Sequence, residues 1–331
     1  MLSRRKFLST AAASSALALG VAPGVSKAAD GYPDHVIRII VGYATGGNAD
    51  VPARLFVPEL QRILGVPVII ENRPGASGVP AAEMVAHTAP DGYTVLWGTS
   101  ASHSVAVVAM APLPFDPVKD FAPITLISED PNVIVAATNF PAADSIDAFL
   151  KYAKAHPGTP IGTSGPATSG RFAVELMKPK LGLDLTAVSY KSTGPLLTDL
   201  AGQHIPLGIM GASTAVPFIK DNSIRAIAMT SIKRSRILPD IPTFNETVSK
   251  GFDAVAWSAL YAPPGTPVAI VDKLNAAMKQ ASELPAIKKW FDESGLEVPM
   301  SSPQDLAAFM KADIDKWVQV AKDNNLKIEA Q

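Results

Sequence analysis

The sequence predicts an α/β protein built of two lobes, each a mostly parallel sheet flanked by helices. Apolar runs of strand length alternate with longer segments of helical period along the chain. The strand-like runs are continuously apolar, as in sheets covered by helices on both faces. The pattern occurs twice, before and after a Pro-rich turn at 114–117. A chain of 331 residues is long enough for two such domains.

The first set of elements opens with an apolar strand at 36–43. Asp50 is predicted to cap the following helix, and Gly65 to end it. A strand at 66–71, a Gly-rich turn, a helix at 81–87 and strands at 94–98 and 124–127 follow.

The second set begins with a strand at 133–137. It continues with helices at 146–156, 172–181 and 196–201, and with strands at 161–163, 187–190, 206–210 and 226–230. A third section from 239 to 331 contains a strand at 254–260 and ends in three helices, at about 267–282, 285–294 and 303–324. We therefore expect residues 29–130 and 241–331 to form domain 1, and 131–240 to form domain 2.

The first residues have the form of a cleavable export leader. Arg4 and Arg5 precede Phe7-Leu8 and a weakly apolar run rich in Ala and Ser, which is typical of a twin-arginine signal. Small residues around Ala28 suit a signal peptidase, so residues 1–28 are predicted to be removed. The run is too short and too polar for a membrane anchor. These features predict a periplasmic protein.

Composition excludes several classes of function. Removing the leader leaves 25 basic and 30 acidic residues without a basic block, which gives little support to nucleic-acid binding. The chain has no cysteine, so thiol nucleophiles and disulfides are excluded. Its five histidines are scattered without the spacing of a metal site. We expect no metal and no cofactor.

Searches for catalytic and nucleotide-binding motifs find only a partial match. The sequence contains neither a phosphate-binding P-loop nor a G-x-G-x-x-G segment. The segment 98–102 follows a strand as a nucleophile elbow would, but Ser102 stands where the second Gly belongs. A serine hydrolase using Ser100 is therefore the less favoured alternative.

Five strands instead end in a loop rich in Gly, Ser and Thr just before a helix. Such loops present backbone N–H groups and hydroxyls at helix N-termini, where an anion is favoured. In open parallel sheets they lie at the ligand-binding edge. Helix capping explains any one of them, but five in an exported protein favour a binder of small anions. The loops lie at 46–49, 99–102, 164–169, 191–194 and 211–214.

Motifs over the whole mature chain resemble the extracytoplasmic solute receptors of tripartite tricarboxylate transporters, the Bug family. The most specific are Glu-Asn-Arg-Pro-Gly at 71–75 and Pro-Asp-Gly-Tyr-Thr at 90–94. Gly-Gly-Asn-Ala-Asp at 46–50, Leu-Pro-Asp-Ile-Pro-Thr at 238–243 and Ala-Pro-Pro-Gly-Thr-Pro at 262–267 also match.

The resemblance implies a type II periplasmic-binding-protein fold that closes on its ligand like a flytrap. It implies two crossing segments, near 128–132 and 230–241, a carboxylate ligand and delivery to a separate two-component membrane permease. It also implies a monomer without enzymatic activity. A receptor that signals to a membrane kinase would have the same cleft and stays an alternative.

Mapped onto this sequence, the resemblance gives a set of ligand-binding residues from both domains. They are Tyr43, Gly46, Gly47, Asn48, Ala49, Ser100, Ala101, Ser102, Ser164, Thr168, Ser169, Arg171, Lys191, Ser192, Thr193, Gly211, Ala212 and Ser213. Ser102 and Ser169 are expected to donate hydroxyl hydrogen bonds. Tyr43 either stacks on the ligand or covers the strand end, Asp50 caps its helix, and Trp257 lies in the core.

Two departures from the family bear on ligand choice. Many relatives carry an acidic residue where this chain has Gly211, and its absence argues against an amino-acid ligand. Arg171 replaces a frequent His and could pair with a second carboxylate, with Lys191 adding charge nearby. Alternatively, Arg171 is a solvent-exposed residue of the first helical turn and Lys191 an edge-strand charge. The resulting hypothesis is a dicarboxylate or an aromatic carboxylate.

Overall fold

The structure is a computed structural model that describes residues 31–47 and 49–326. The predicted leader, Asn48 and residues 327–331 lie outside the described residues. No helix in the described ranges has the length and apolar character needed to cross a bilayer.

Two sheets share one long crossing strand. In chain order the elements up to that strand are β1 Ile37–Val41, α1 Asp50–Leu64, β2 Val68–Asn72, α2 Val79–Ala86, β3 Thr94–Thr99, α3 Ala106–Ala109 and β4 Ala122–Ala137. Those that follow are α4 Ile146–Ala155, β5 Thr159–Thr163, α5 Ser169–Leu181, β6 Leu185–Ser189, α6 Thr193–Ala201, β7 Leu207–Gly211, α7 Ala212–Lys220, β8 Ile224–Met229, α8 Phe244–Thr247, β9 Val255–Ala262, α9 Val268–Ser282, α10 Pro285–Ser294 and α11 Pro303–Asp323.

The sheet of the first lobe has the order β2-β1-β3-β9-β4. β1 pairs in parallel with β2 and β3, whereas β9 runs antiparallel to β3 and β4. Helices α1, α9 and α10 cover one face around Phe56 and Trp97. Helix α2 and the first half of α11 cover the other, around Leu96 and Leu306. Coverage of both faces explains why these strands are apolar throughout.

The sheet of the second lobe repeats this plan with β4, β7, β5 and β6 in order, and β8 on the other side of β4. β5 pairs in parallel with β6 and β7, and β4 is antiparallel to β7 and β8. Two α/β lobes were predicted and are confirmed. The antiparallel crossing strands make each sheet mixed.

The first crossing is one continuous strand, so the prediction of separate strands at 124–127 and 133–137 was wrong. β4 pairs with β9 through Pro131 and with β7 from Asn132 onward. The polar residues from Ser128 to Asn132 read as a break in the sequence, but their backbone stays paired. They are polar because they lie where the strand passes between the lobes.

The second crossing lies later than predicted. Thr230 donates its backbone N–H to Asn132 O at 2.9 Å, and Ala254 donates to Thr230 O at 2.9 Å. Between these points Phe244 and Phe252 are buried in the core of the second lobe. We therefore place the boundary near residue 254 instead of 240, because the apolar side chains decide to which lobe the segment belongs.

Helix α11 packs on both lobes. Leu306 and Met310 lie in the core of the first lobe, while Trp317 and Val320 lie in that of the second. A helix of 21 residues is about 30 Å long, enough to span the interface. The last helix thus connects the lobes beside the two crossing segments.

Candidate functional site

A cleft of about 920 Å³ lies between the two lobes. Most of the predicted ligand-binding residues line it: Tyr43, Ala49, Ser100, Ala101, Ser164, Thr168, Ser169, Lys191, Ser192, Thr193, Gly211 and Ser213. Gly46, Gly47, Ser102, Arg171 and Ala212 do not line it, and Asn48 lies outside the described residues. The strand-end loops of both lobes therefore meet at one place.

Tyr43 is fixed over the end of β3 by its hydroxyl. The hydroxyl donates to Ser77 O at 3.0 Å and lies 2.8 Å from Thr99 Oγ1. Burial raises the pKa of Tyr43 to about 12, so it remains protonated at neutral pH. Ser100 N donates to Trp257 O at 3.0 Å, and Ser100 lines the cleft beside Tyr43.

The turn before α1 is held together by Asp50. Its carboxylate accepts from Gly46 N at 2.8 Å, Arg54 Nε at 2.8 Å and Asn72 Nδ2 at 2.7 Å. Burial alone would raise the pKa of Asp50, but these three hydrogen bonds together hold it below its ordinary value. Asp50 is the first helical residue and Ala49 the N-cap, so the predicted cap was one residue out. The hydrogen bonds from Arg54 and Asn72 stabilise the Asp50 carboxylate in this buried position.

Ser102 is buried beneath the cleft, only 2% exposed, instead of facing it. Its Oγ donates to Thr99 O at 3.1 Å and lies 2.9 Å from His103 Nδ1. Burial lowers the pKa of His103 to about 3, and its Nε2 has no hydrogen-bond partner among the described residues. This Ser–His contact therefore lacks both access to substrate and an acidic group to orient the imidazole.

In the second lobe, the loop between β5 and α5 forms one wall. Thr168 caps α5, since its Oγ1 accepts from Arg171 N at 3.2 Å. Ser169 Oγ accepts from Asn132 Nδ2 at 3.0 Å, and the same Asn132 amide donates to Ala254 O at 2.8 Å. Asn132 thereby joins this loop to both crossing segments.

Arg171 does not line the cleft. Its guanidinium pairs with Glu175, one helical turn further along α5, and both side chains are largely covered. In this arrangement the predicted bidentate contact of Arg171 with a ligand carboxylate stays a prediction. The sequence did contain a signal for this ion pair, since Glu175 lies at i+4 from Arg171, the spacing that favours an intrahelical pair.

Lys191 provides the positive charge of the cleft. It follows β6 and is exposed, and Ser192, the N-cap of α6, makes no capping hydrogen bond with its side chain. Thr193 and the N-terminus of α6 lie beside it. A cation next to free helix-end N–H groups suits a carboxylate.

Asp130 is the acidic residue of the cleft, and the sequence analysis missed it. Side chains alternate along β4, so Ser128, Asp130 and Asn132 share the cleft-facing side. Asp130 Oδ2 accepts from Ser213 Oγ at 2.7 Å, and Oδ1 lies 3.4 Å from Ser213 N. Burial raises the pKa of Asp130 to about 6. The hydrogen bonds from Ser213 act in the opposite direction but are the smaller effect.

Gly211 therefore does not leave this place in the cleft without an acidic side chain. An acidic side chain does lie beside position 211, but it comes from the crossing strand. A Cβ on Gly211 would stand 2.2 Å from Asp130 Oδ2, so only glycine leaves room for this carboxylate. The alternating Ser-x-Asp-x-Asn of 128–132 was the available sequence signal.

Aromatic residues complete the cleft. Trp257 lines it from β9 and is 2% exposed, so its predicted place in the core is correct. Trp290 of α10 also lines it and was not predicted. Among the described residues that line the cleft, Asp130 and Lys191 are the charged ones, and no group of three His, Asp or Glu in these ranges could hold a metal ion.

Comparisons with known proteins agree with this architecture. Residues 53–326 match the family model described as tripartite tricarboxylate transporter family receptor. Protein BugT of Bordetella pertussis is 31% identical over 312 residues, covering 94% of this chain and 95% of that protein.

Two similar solved structures contain ligands. MatC from Rhodopseudomonas palustris with bound malate is 32% identical with a TM-score of 0.75, covering 87% of this chain and 99% of that chain. The R. palustris protein Rpa4515 with adipate is 32% identical with a TM-score of 0.78, covering 89% and 98%. The two-lobed fold, the family model and the similarity to a Bug protein together confirm the resemblance: the chain belongs to the receptor family of the tripartite tricarboxylate transporters.

Proposed function

We propose that this protein is a periplasmic receptor that captures a small organic carboxylate and delivers it to a two-component membrane permease. Family membership supports the receptor role. The observation that carries the proposal for this chain is the convergence of strand-end loops from both lobes on one cleft that also contains Lys191.

The chemistry of the walls suits an acid. The β5–α5 and β6–α6 loops place helix N-termini at the cleft, and their amides and hydroxyls replace the water around a carboxylate. Lys191 adds a full positive charge. Hydrogen bonds from amides and hydroxyls to a charged carboxylate are stronger in a site from which water is excluded.

A dicarboxylate or an aromatic carboxylate is the favoured ligand class. The malate and adipate held by the two R. palustris proteins are both diacids. Tyr43 and Trp290 give this cleft aromatic surface that would also accept a ring. Because Arg171 pairs with Glu175, Lys191 is the cation proposed for the second carboxylate.

Capture follows from hinge closure. The acid first contacts one lobe, and closure about β4 and the second crossing near residue 254 brings the other wall against it. Only the closed form has both sets of contacts, so ligand shifts the hinge equilibrium by their differential affinity. A micromolar dissociation constant corresponds to about 8 kcal/mol, which several hydrogen bonds and one ion pair supply.

The remaining parts of the proposal are export through the twin-arginine leader, a monomeric state and the absence of catalysis. A sensor that presents the closed form to a signalling receptor would use the same cleft.

A thermal-shift screen of the mature chain against organic acids tests the ligand class. A true ligand raises the midpoint as its concentration increases, by the free energy RT ln(1 + [L]/Kd). Calorimetry then gives the affinity of each acid that stabilises the protein. We expect at least one diacid or aromatic acid to bind; stabilisation by sugars or free bases but by no carboxylate would contradict the proposal.

A further inference from the structure

Asp130 has an unusual position for an acidic residue in an acid-binding cleft. It lies on β4, between the cleft-facing side chains of Ser128 and Asn132, and Ala256 of β9 is its partner across the sheet. The first turn of α7 packs against it from the second lobe through Ser213. Strands β4 and β9 and the first turn of α7 therefore meet at this carboxylate.

In the part of the chain that the structure describes, the carboxylate has no positive partner. Its hydrogen bonds come from the neutral donors of Ser213 and the backbone of Ala212, and no cation among the described residues contributes to its environment. The ammonium group of Lys191, the cation of the cleft, is not within the 4.0 Å of the Asp130 carboxylate that an ion pair requires. A carboxylate has about four acceptor positions, so Asp130 retains capacity for a further donor.

Asp130 also occupies the anion site of α7. The N–H groups at that helix end, which would otherwise suit a ligand carboxylate, already face Oδ1 and Oδ2. A second negative group placed here would meet Asp130 directly. The end of the ligand nearest to β4 therefore cannot be a carboxylate of the same kind.

We propose that Asp130 is a specificity residue that selects small carboxylates bearing an N–H or O–H donor on the side facing β4. This inference rests on the proposed function of the cleft. An ionised carboxylate that is partly buried and without a cation is stabilised by such a donor. A ligand that lacks the donor therefore binds less tightly. The donor is an ammonium or a hydroxyl group, and the ligand's carboxylate binds the loops near Lys191.

Ligands that differ at one carbon test the proposal. Succinate, malate and aspartate share a four-carbon diacid and carry hydrogen, hydroxyl and ammonium at carbon 2. Phenylacetate, mandelate and phenylglycine form the corresponding aromatic series. Calorimetry on the mature chain should show the donor-bearing members of at least one series binding about tenfold more tightly than the parent acid. The hydroxyl and ammonium arms identify which donor is used.

Substitutions link the preference to the residue. Asp130→Asn should reduce the preference for a donor about tenfold while the parent acid binds as well or better. Asp272→Asn, an exposed position on α9, is the control for net charge. Gly211→Ala is an independent variant, since its Cβ would stand 2.2 Å from Oδ2 and displace the carboxylate. It should weaken the preference in the same direction.

The outcomes separate this inference from the proposed function. Binding of a parent acid as tight as that of its donor-bearing members, unchanged in Asp130→Asn, overturns the role of Asp130 and leaves a carboxylate receptor. Failure of all six acids to bind, while another diacid or aromatic acid without an N–H or O–H donor binds in the thermal-shift screen, overturns this inference and leaves the proposed function. A preference lost equally in Asp272→Asn would assign it to overall charge and also overturn the inference.

Discussion

Trp257 donates its indole N–H to Asp313 Oδ2 at 2.8 Å, which joins the floor of the cleft to the helix that packs on both lobes. Trp257 belongs to β9 and lines the cleft, and Asp313 lies in the middle of α11. The same carboxylate accepts from Ser104 Oγ at 2.5 Å and pairs with Lys316 at 2.6 Å. Since Asp313 is buried, these contacts stabilise its charge.

Asp313→Ala should lower the free energy of unfolding by about 3 kcal/mol, because it leaves the Trp257 and Ser104 donors unpaired in the interior. Asp315→Ala is a matched control on α11, where an exposed carboxylate pairs with Lys311, and should cost less than about 1 kcal/mol. Urea unfolding of the three proteins measures both. Equal losses at the two positions would show that the buried contacts contribute little.

Asp130 predicts a pH-dependent stability. Its pKa rises from 3.8 to about 6 on folding, so the folded state binds the proton more tightly and stability falls as pH rises from about 4 to about 6. The loss at neutral pH is at most about 3 kcal/mol. Asp130→Asn should therefore be more stable than the parent at pH about 7 and show a smaller difference at pH about 4. Urea unfolding at both values checks this; a difference independent of pH contradicts it.

Lys191→Met should weaken binding of the cognate acid about tenfold, because a charge-assisted hydrogen bond is lost. Lys151→Met, an exposed lysine of α4 away from the cleft, is the control. Calorimetry at low and high salt measures the loss, which should shrink as salt screens the charge. An affinity equal to that of the control variant would show that Lys191 does not contact the ligand.

Arg171→Met separates the family-based expectation from the geometry. The pair with Glu175 keeps the guanidinium out of the cleft, so affinity should change by less than about twofold. Calorimetry with the same acid used for Lys191→Met makes the comparison direct. A larger loss than that of Lys191→Met would mean that Arg171 leaves Glu175 and joins the site on closure.

The sequence was sufficient for the fold and for most of the loops. Continuous apolar runs and Gly signals such as Gly65, which adopts φ 73° at the end of α1, placed most of the helices and strands within a few residues. These signals are local, and local backbone chemistry decides them. The prediction placed two strands where the structure has β4, because the polar centre of β4 resembles a loop when the neighbouring strands are not known.

Contacts between distant residues could not be read from the sequence. Asp130 meets Ser213 across 83 positions, and Asn132 meets Ala254 across 122. Ser102 looked available because it follows a strand, but the turn of 99–102 points its hydroxyl back to Thr99. The direction of a side chain at a strand end depends on the neighbouring strands, and the order of the strands in the sheet cannot be read from the sequence.

A crystal structure of the mature chain with the acid that stabilises it most in the thermal-shift screen tests the central claim most directly. We predict that the acid lies between the lobes, with a carboxylate at the β5–α5 or β6–α6 loop and contacts to the β3 end. An acid bound at full occupancy outside the cleft, with the cleft filled only by water, would contradict it.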